Sequence, residues 1–447
     1  MTETSEKTRV LDYAAAEGIK YVSFQFTDVL GIVKSITIPI HQFGSAIDHG
    51  LWFDGSSIEG FTRIHESDMY LQPDLSTFGI VPWERDSNIT AKVICDVYTP
   101  DGEEFDGDPR NVLRRQMKRA QDMGFKFQTG PELEFFLLRT STGRIEPLPH
   151  DRAGYFDLTS DEAAGVRKEM VNALEGLGIE VEALHHEVAS GQHEIDFRYA
   201  DALKTADNAV SLRVALKAIA QKHELYATFM PKPIYGINGS GMHTHQSLAD
   251  LKTGVNLFYD KESEYHLSKL ARNYIAGLLK HARGMSALLS PLVNSYKRLV
   301  PGYEAPVYIC WARINRSALI RIPQTSRGRP EGTRAELRCP DPSCNPYLAF
   351  AVMLAAGLDG VENELEPPEP VEENLYHFTE EMMQKRGITT LPGSLAEALD
   401  ELEADSVVRG ALGEHVTEWF LEAKRQEWDQ YRMQVSQWEL DRYLEIY

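Results

Sequence analysis

Apolar and polar residues alternate with a period of two at 21–27, 33–39 and 90–97, and the alternation predicts strands there. A helical spacing of apolar residues over 6–17 predicts a short amphipathic helix ahead of them. A turn that includes Asp28 and Gly31 joins the first two strands, and Asp54-Gly55-Ser56-Ser57 is turn chemistry. The first hundred residues thus read as β-rich and short in helix. Asp101-Gly102 and Gly107-Asp108-Pro109 mark a boundary, with Asp108 suited to an N-cap and Pro109 to the first helical position of a helix running to Gly124. Beyond it, strands alternate with expected helices at 161–177, 203–222 and 267–289. Asn345-Pro346 opens an apolar helix to about Asp359, Pro367-Pro368-Glu369-Pro370 marks a surface excursion, and helices continue from Leu395 to the end. There is no internal repeat and no low-complexity tract.

A second pattern lies on top of this one. Four strand-like stretches carry ionisable residues two apart: Glu132-Leu133-Glu134, Glu194-Ile195-Asp196-Phe197-Arg198, His243-Thr244-His245-Gln246-Ser247 and Arg334-Ala335-Glu336-Leu337-Arg338. Side chains two apart on a strand share a face. A single such stretch is most simply a ladder of surface ion pairs, which are common and weak. Four together suggest one concave site where carboxylates hold metal and arginines hold phosphate.

Composition narrows the field. At 447 residues the chain exceeds the usual size of one core, so two domains are expected, at 1–105 and 106–447. Lys+Arg 46 against Asp+Glu 67 gives −21, which argues against nucleic acid or an anionic membrane as main partner. Cys95, Cys310, Cys339 and Cys344 form no CxxC pair, so a structural zinc site is not expected. Without an apolar signal core or a membrane-length apolar run, the expected location is the cytoplasm, with reduced thiols.

Glu132 and Glu134 on one strand face would repel each other unless a cation lay between them. With Glu187, Glu194, Glu336 and His243 they make an oxygen-dominated ligand set, which favours Mg2+ or Mn2+ over zinc. Arg298, Arg316, Arg321, Arg334 and Arg338 cluster downstream, and guanidinium forks grip phosphate and carboxylate. No GxxxxGK[ST] is present, so the nucleotide site is not a P-loop. The glycine-rich run Gly236-Ile237-Asn238-Gly239-Ser240-Gly241 leads into His243 and suits close backbone approach to a ligand. These features point to phosphoryl transfer by positioning and charge neutralisation, with a metal-dependent hydrolase as the generic competitor. From composition alone, Asp54 reads as a turn former and Glu304 as a surface charge.

The motifs in order resemble the type I glutamine synthetases over nearly the whole chain. They are Asp54-Gly55-Ser56-Ser57, Pro131-Glu132-Leu133-Glu134, His186-Glu187-Val188-Ala189, Gln192-His193-Glu194-Ile195-Asp196, Asn238-Gly239-Ser240-Gly241-Met242-His243, Asn294-Ser295-Tyr296-Lys297-Arg298, Pro301-Gly302-Tyr303-Glu304-Ala305-Pro306 and Asn345-Pro346-Tyr347-Leu348. The length resembles the compact form found in Gram-positive bacteria and many archaea. The resemblance implies an α+β fold: a small β-grasp N-terminal domain and a large catalytic domain with a curved antiparallel sheet flanked by helices. It implies a dodecamer of two hexameric rings with active sites between neighbouring subunits. One metal would be held by Glu134, Glu187 and Glu194, the other by Glu132, His243 and Glu336. His245, Ser247 and Arg334 would face ATP, Arg316, Arg321 and Arg338 would surround the transferred phosphoryl group, and Arg298, Arg338, Asn238 and Gly239 would contact glutamate. Asp54 of the neighbouring subunit would bind ammonium and take its proton, with Glu187, Tyr155, Ser57 and Glu304 lining that pocket and Glu304 riding on a closing flap.

The implied reaction joins glutamate, ATP and ammonium into glutamine, ADP and phosphate through γ-glutamyl phosphate. A γ-glutamyl ligase for an amine or polyamine, and a regulatory pseudoenzyme of the same fold, are the alternatives. Arg63 matches an arginine implicated in glutamine feedback, and nitrogen-regulatory proteins are possible partners. Tyr376 aligns with the tyrosine adenylylated in longer relatives, and no adenylylation is expected here. The loop Ile322-Pro323-Gln324-Thr325-Ser326-Arg327-Gly328-Arg329-Pro330-Glu331-Gly332-Thr333 is a few residues longer than in close relatives and leaves the role of Arg327 or Arg329 open.

Overall fold

The computed structural model describes residues 3–58, 68–85, 88–141, 144–301, 305–325, 329–373, 375 and 378–447. Five strands form the smaller sheet: β1 (Tyr21–Thr27), β2 (Val33–Pro39), β3 (Leu51–Asp54), β4 (Asp68–Ile80) and β5 (Thr90–Tyr98). Their order is β2-β1-β5-β4-β3, with β1 and β5 parallel and the other pairs antiparallel. One face buries Phe24, Phe26, Met69, Leu71 and Val93 with Val10 and Phe43 from the helices Glu3–Ala16 and Ile40–His49. Each large apolar side chain buried this way stabilises the sheet by about 1.5–3 kcal/mol.

The alternation read from the sequence gives β1 and β2 with the observed bounds. It misses β4 and the helix Ile40–His49. Pro73, Asp74, Ser76 and Gly79 look like turn residues, yet they sit in a strand whose register against β5 shifts between Asp74 and Gly79. Pro73 keeps its pairing with Cys95 and Gly79 pairs with Lys92, so the irregularity takes up the residues between Asp74 and Gly79.

Eleven strands form the larger sheet: β6 (Phe125–Ser141), β7 (Arg144–Pro149), β8 (Val181–His186), β9 (Gln192–Phe197), β10 (Ala200–Asp201), β11 (Leu225–Thr228), β12 (Met242–Asp250), β13 (Tyr308–Ala312), β14 (Ala318–Arg321), β15 (Ala335–Leu337) and β16 (Thr389–Thr390). The main path is β16-β13-β14-β15-β12-β6-β9-β8, with β7, β10 and β11 also on β6. Every pair is antiparallel, as expected, except β13 with β14, which run parallel.

The helices Pro109–Asp122, Ala202–Lys222 and Pro346–Glu362 contribute to the core with this sheet. Pro346–Glu362 is buried from Pro346 through Gly360, which explains its nearly unbroken apolar sequence. A Cβ on Gly360 would lie 2.0 Å from Asn273 O, so this helix and Lys269–Lys280 meet backbone to backbone. The helix expected at 267–289 is interrupted at His281, whose two nitrogens bond Asp405 at 2.7 Å and Asp359 at 3.0 Å. The helix expected from Asp161 begins at Ala164, because Asp161 turns back to accept from Ala163 N and Arg167.

Asn345 and Arg110 are among the residues that join the smaller sheet to the rest. Asn345 caps its helix and donates to Asp28 O and Val29 O at 3.0 and 3.3 Å, while Gly31, at φ 84°, lets the turn approach Asn345. Arg110, 3% exposed, bonds both oxygens of Asp207 at 3.0 and 2.9 Å, Asp96 at 2.6 Å and Asp74 at 2.7 Å. Replacing Arg110 by Met takes from Asp74, Asp96 and Asp207 a buried cation they share and should destabilise the chain by about 3–5 kcal/mol. The urea midpoint reads this loss, and an unchanged midpoint contradicts it.

Candidate active site

The four charged stretches become neighbouring strands. Register places Arg321 opposite Glu336, Glu336 opposite His245, His243 opposite Glu132, and Glu132 opposite Asp196. One step along, Glu134 faces Glu194, which faces His185. The same-face inference therefore holds across strands as well as along them. The intervening Leu133, Ile195, Ala335 and Leu337 point into the core and fix which face carries the charge.

Glu132, His243 and Glu336 each bring a ligand atom within 4.8 Å of the others. His243 Nδ1 lies 3.4 Å from Glu132 and 3.9 Å from Glu336. Arg334 Nε donates to His245 Nδ1 at 3.1 Å, so the ring proton is on Nε2, which bonds Glu132 at 2.7 Å. His245 thus orients a carboxylate of this cluster. Burial opposes ionisation of Glu336, but His245, His243, Arg338 and Arg321 outweigh it and hold its carboxyl below the ordinary range. Arg321 Nε is 2.5 Å and Arg338 Nε 3.2 Å from its oxygens.

Glu187 and Glu194 form the second group, with His185 between them at 3.5 and 3.4 Å. Glu134 lies beside them, and one of its oxygens accepts from Gln192 Nε2 and Gly241 N, each at 2.9 Å. Burial and then Glu187 push the Glu134 carboxyl up to about 8. Burial and then Asp196 and Glu134 push Glu194 up as well, and Asp196 rises to about 7 through burial and Glu132. Three acids raised in this way, with so few cations beside them, favour holding protons unless another positive charge is present.

The glycine-rich run has close neighbours within this chain. A Cβ on Gly241 would lie 2.5 Å from Arg298 Nη2, and one on Gly239 would lie 2.3 Å from Pro231 O and 3.1 Å from Arg298 Cγ. Arg298 is buried and donates to Cys339 O and Arg338 O at 2.8 and 3.1 Å. Asn238, next to Gly239 in sequence, is half-buried, and Gly239 O accepts from Gln192 Nε2 at 3.1 Å. Arg338 also donates to Arg316 O. Tyr155 packs edge-on to His185 at 5.7 Å, and burial followed by Glu187 and Glu194 raises its hydroxyl pKa.

Beside the first cluster a cavity of about 350 Å³ is lined by Glu132, Asp196, Tyr199, His245, Ser247 and Arg334, among others. The three residues expected at the nucleotide share this wall; Arg316 and Arg321 are outside it. Asp54 is exposed on β3, at the edge of the smaller sheet, where it accepts from Ser56 N at 2.9 Å, and it belongs to neither acid cluster. Arg63, Glu304, Arg327 and Tyr376 lie outside the described residues, as does the side chain of Ser57. His185, Gln192 and Asp196 were not singled out from the sequence. The period of two on β9 already puts Gln192 and Asp196 on the face of Glu194; His185 needs the strand register.

Two family models match the chain. One for the glutamine synthetase catalytic domain matches residues 106–443, and one for the glutamine synthetase β-grasp domain matches 18–100. A glutamine synthetase of Thermus thermophilus is 57% identical over 447 residues, spanning 99% of each chain. The chain belongs to the type I glutamine synthetases. A glutamine synthetase of Methanosarcina mazei is 52% identical over 448 residues, 100% of this chain and 99% of that one. A solved structure described as a GmaS/ADP complex matches at 32% identity with a TM-score of 0.87, covering 98% of this chain and 99% of the other. The glutamine synthetase family uses ATP and divalent metal, and the oxygen-rich clusters fit a hard divalent cation. Among the described residues no helix is long and apolar enough to cross a membrane.

The acid clusters set a pH dependence. Between pH 4.5 and about 8 the folded protein keeps a proton on Glu134 that the unfolded chain releases. Stability from this group is therefore lost as pH rises through that window in metal-free protein. A bound divalent cation replaces the proton, so Mn2+ should raise Tm more at pH 8 than at pH 6. Equal shifts at the two pH values contradict the assignment.

Proposed function

We propose that this chain joins ammonium to L-glutamate with ATP, giving L-glutamine, ADP and phosphate through γ-glutamyl phosphate. The observation that carries the reading is the cross-strand row of carboxylates flanked by Arg321, Arg338 and Arg298 and opening on the cavity. Glu134, Glu187 and Glu194 would hold one Mg2+ or Mn2+, and Glu132, His243 and Glu336 a second. Cations there neutralise charge on the phosphates and on the transferred group.

His245, Ser247 and Arg334 orient ATP, with Arg316, Arg321 and Arg338 around its γ-phosphate. Arg298, Arg338, Asn238 and Gly239 fix glutamate so that its γ-carboxylate attacks the γ-phosphorus and ADP leaves. Ammonium binds among Asp54 of a neighbouring copy, Glu187, Tyr155, Ser57 and Glu304. Asp54 takes its proton, ammonia attacks the acyl carbon, and phosphate departs. The exposure of Asp54 on an edge strand, outside its own chain's acid clusters, supports completion of the site by a second copy, and the family resemblance puts that copy in a dodecamer. Closure of the segment carrying Glu304 would keep water from the acyl phosphate. Buried thiols at Cys95, Cys310, Cys339 and Cys344 are compatible with a cytoplasmic enzyme.

The test is phosphate release from ATP with glutamate and Mg2+, comparing ammonium, methylamine, putrescine and no amine. Release strongest with ammonium, with glutamine as product, is expected. Preference for an organic amine would make the chain a γ-glutamyl amine ligase, and no release with metal bound would make it a pseudoenzyme.

A further inference from the structure

Behind the carboxylate row lies a second ionisable cluster, which phosphoryl transfer does not use. Asp151, 4% exposed, sits among the buried rings of His150, His186 and His193. His150, Asp151 and His193 bring one ligand atom each within 4.8 Å of the others, a set that would suit a transition metal. The hydrogen bonds argue against one. Arg167 lies 2.7 Å from His193 Nδ1 and can only donate, so that nitrogen accepts and Nε2 keeps the ring proton. Neither nitrogen then has a free lone pair for a cation.

Asp151 has another use. His150 Nδ1 donates to Leu137 O at 3.2 Å, and His186 Nδ1 donates to Glu187 O at 2.7 Å. Their Nε2 atoms turn to opposite oxygens of Asp151, at 2.9 and 3.1 Å. Asp151 Oδ1 also accepts from Gly191 N at 3.0 Å and Ala153 N at 3.3 Å. Gly191 closes the turn between β8 and β9 that carries Glu187; its φ is 72°, and Leu137 N bonds its carbonyl at 2.9 Å. Ala153 leads into Tyr155 and Phe156. Phe156 stands at φ 61°, a conformation disfavoured outside glycine. It is held by Phe156 N donating to His186 O at 3.3 Å and by rings stacked at 3.8 Å with Tyr155 and edge-on at 5.0 Å to His185.

We propose that Asp151 is a positioning residue for the ligation. One buried carboxylate ties the turn bearing Glu187 to the segment bearing Tyr155, and so sets a cation site and the ammonium side of the pocket together. This rests on the reading of Glu134, Glu187 and Glu194 as cation ligands. Asp151 touches no substrate; it acts through the two segments it holds.

Mn2+ binding to the purified full-length chain, followed by electron paramagnetic resonance without nucleotide, separates the possibilities. Wild type should show two classes of site, and Glu336→Gln should identify the class held by Glu132, His243 and Glu336. Asp151→Ala should weaken the other class by about tenfold or more, the usual size for loss of a group orienting a ligand, and leave the first within about twofold. Asp151→Asn keeps an acceptor for Gly191 N and Ala153 N and should weaken it only about threefold. If Asp151→Ala does not fold, Asp151→Asn decides alone, since a selective loss supports the role. Two classes in wild type that both persist, or weaken equally, in the folded variants overturn the positioning role. Fewer than two classes in wild type overturn the cation-ligand reading and this inference with it.

Discussion

Like charges buried on adjacent strands are the constraint on which the rest of this structure depends. Glu132, Glu134, Glu194, Asp196 and Glu336 lie within three pairings of one sheet, and burial pushes the pKa of each upward. The effective penalty for burying an unpaired ion is several kcal/mol, so a fold that keeps these acids close must surround them with positive charge. It does so unevenly. Around Glu336 the protein supplies the charge itself, through Arg321 and Arg338. Around Glu134 and Glu194 it supplies almost none. An unbalanced acid group inside an otherwise well-packed sheet is a place prepared for a charge that arrives with the reaction.

The apolar residues between the acids do the geometric part. Leu133, Ile195, Ala335 and Leu337 are fully buried, and slipping any of these strands by one residue would send the carboxylates into the core. The register is therefore fixed by the hydrophobic side, and the charged side inherits its distances. The bond network around Asp151 extends the same rigidity to Glu187, which is on a turn and has no strand register of its own.

Much of this was legible in the chain. The period of two at Glu132 and Glu134, at His243 and His245 and around Glu336 placed the site residues on shared faces, and Asp108-Pro109 and Asn345-Pro346 marked two helix starts that the structure keeps. Contacts between distant segments were not legible. Nothing local to His281 announces its bonds to Asp359 and Asp405 or the interruption of the helix there, and Pro73, Asp74 and Ser76 hide a strand whose pairing depends on β5. His185 joins the site only through pairing with Glu194. The glycines at 239 and 241 signalled close approach, but their spacing could not say that Arg298 is what approaches.

In the enzyme proposed here, one face of the larger sheet would hold two divalent cations, each in its own set of side chains. Anomalous diffraction at the manganese edge from crystals equilibrated with Mn2+ tests it most directly. The account predicts two peaks, one among Glu134, Glu187 and Glu194 and one among Glu132, His243 and Glu336. A single peak, none, or a peak at His150, Asp151 and His193 instead would contradict it.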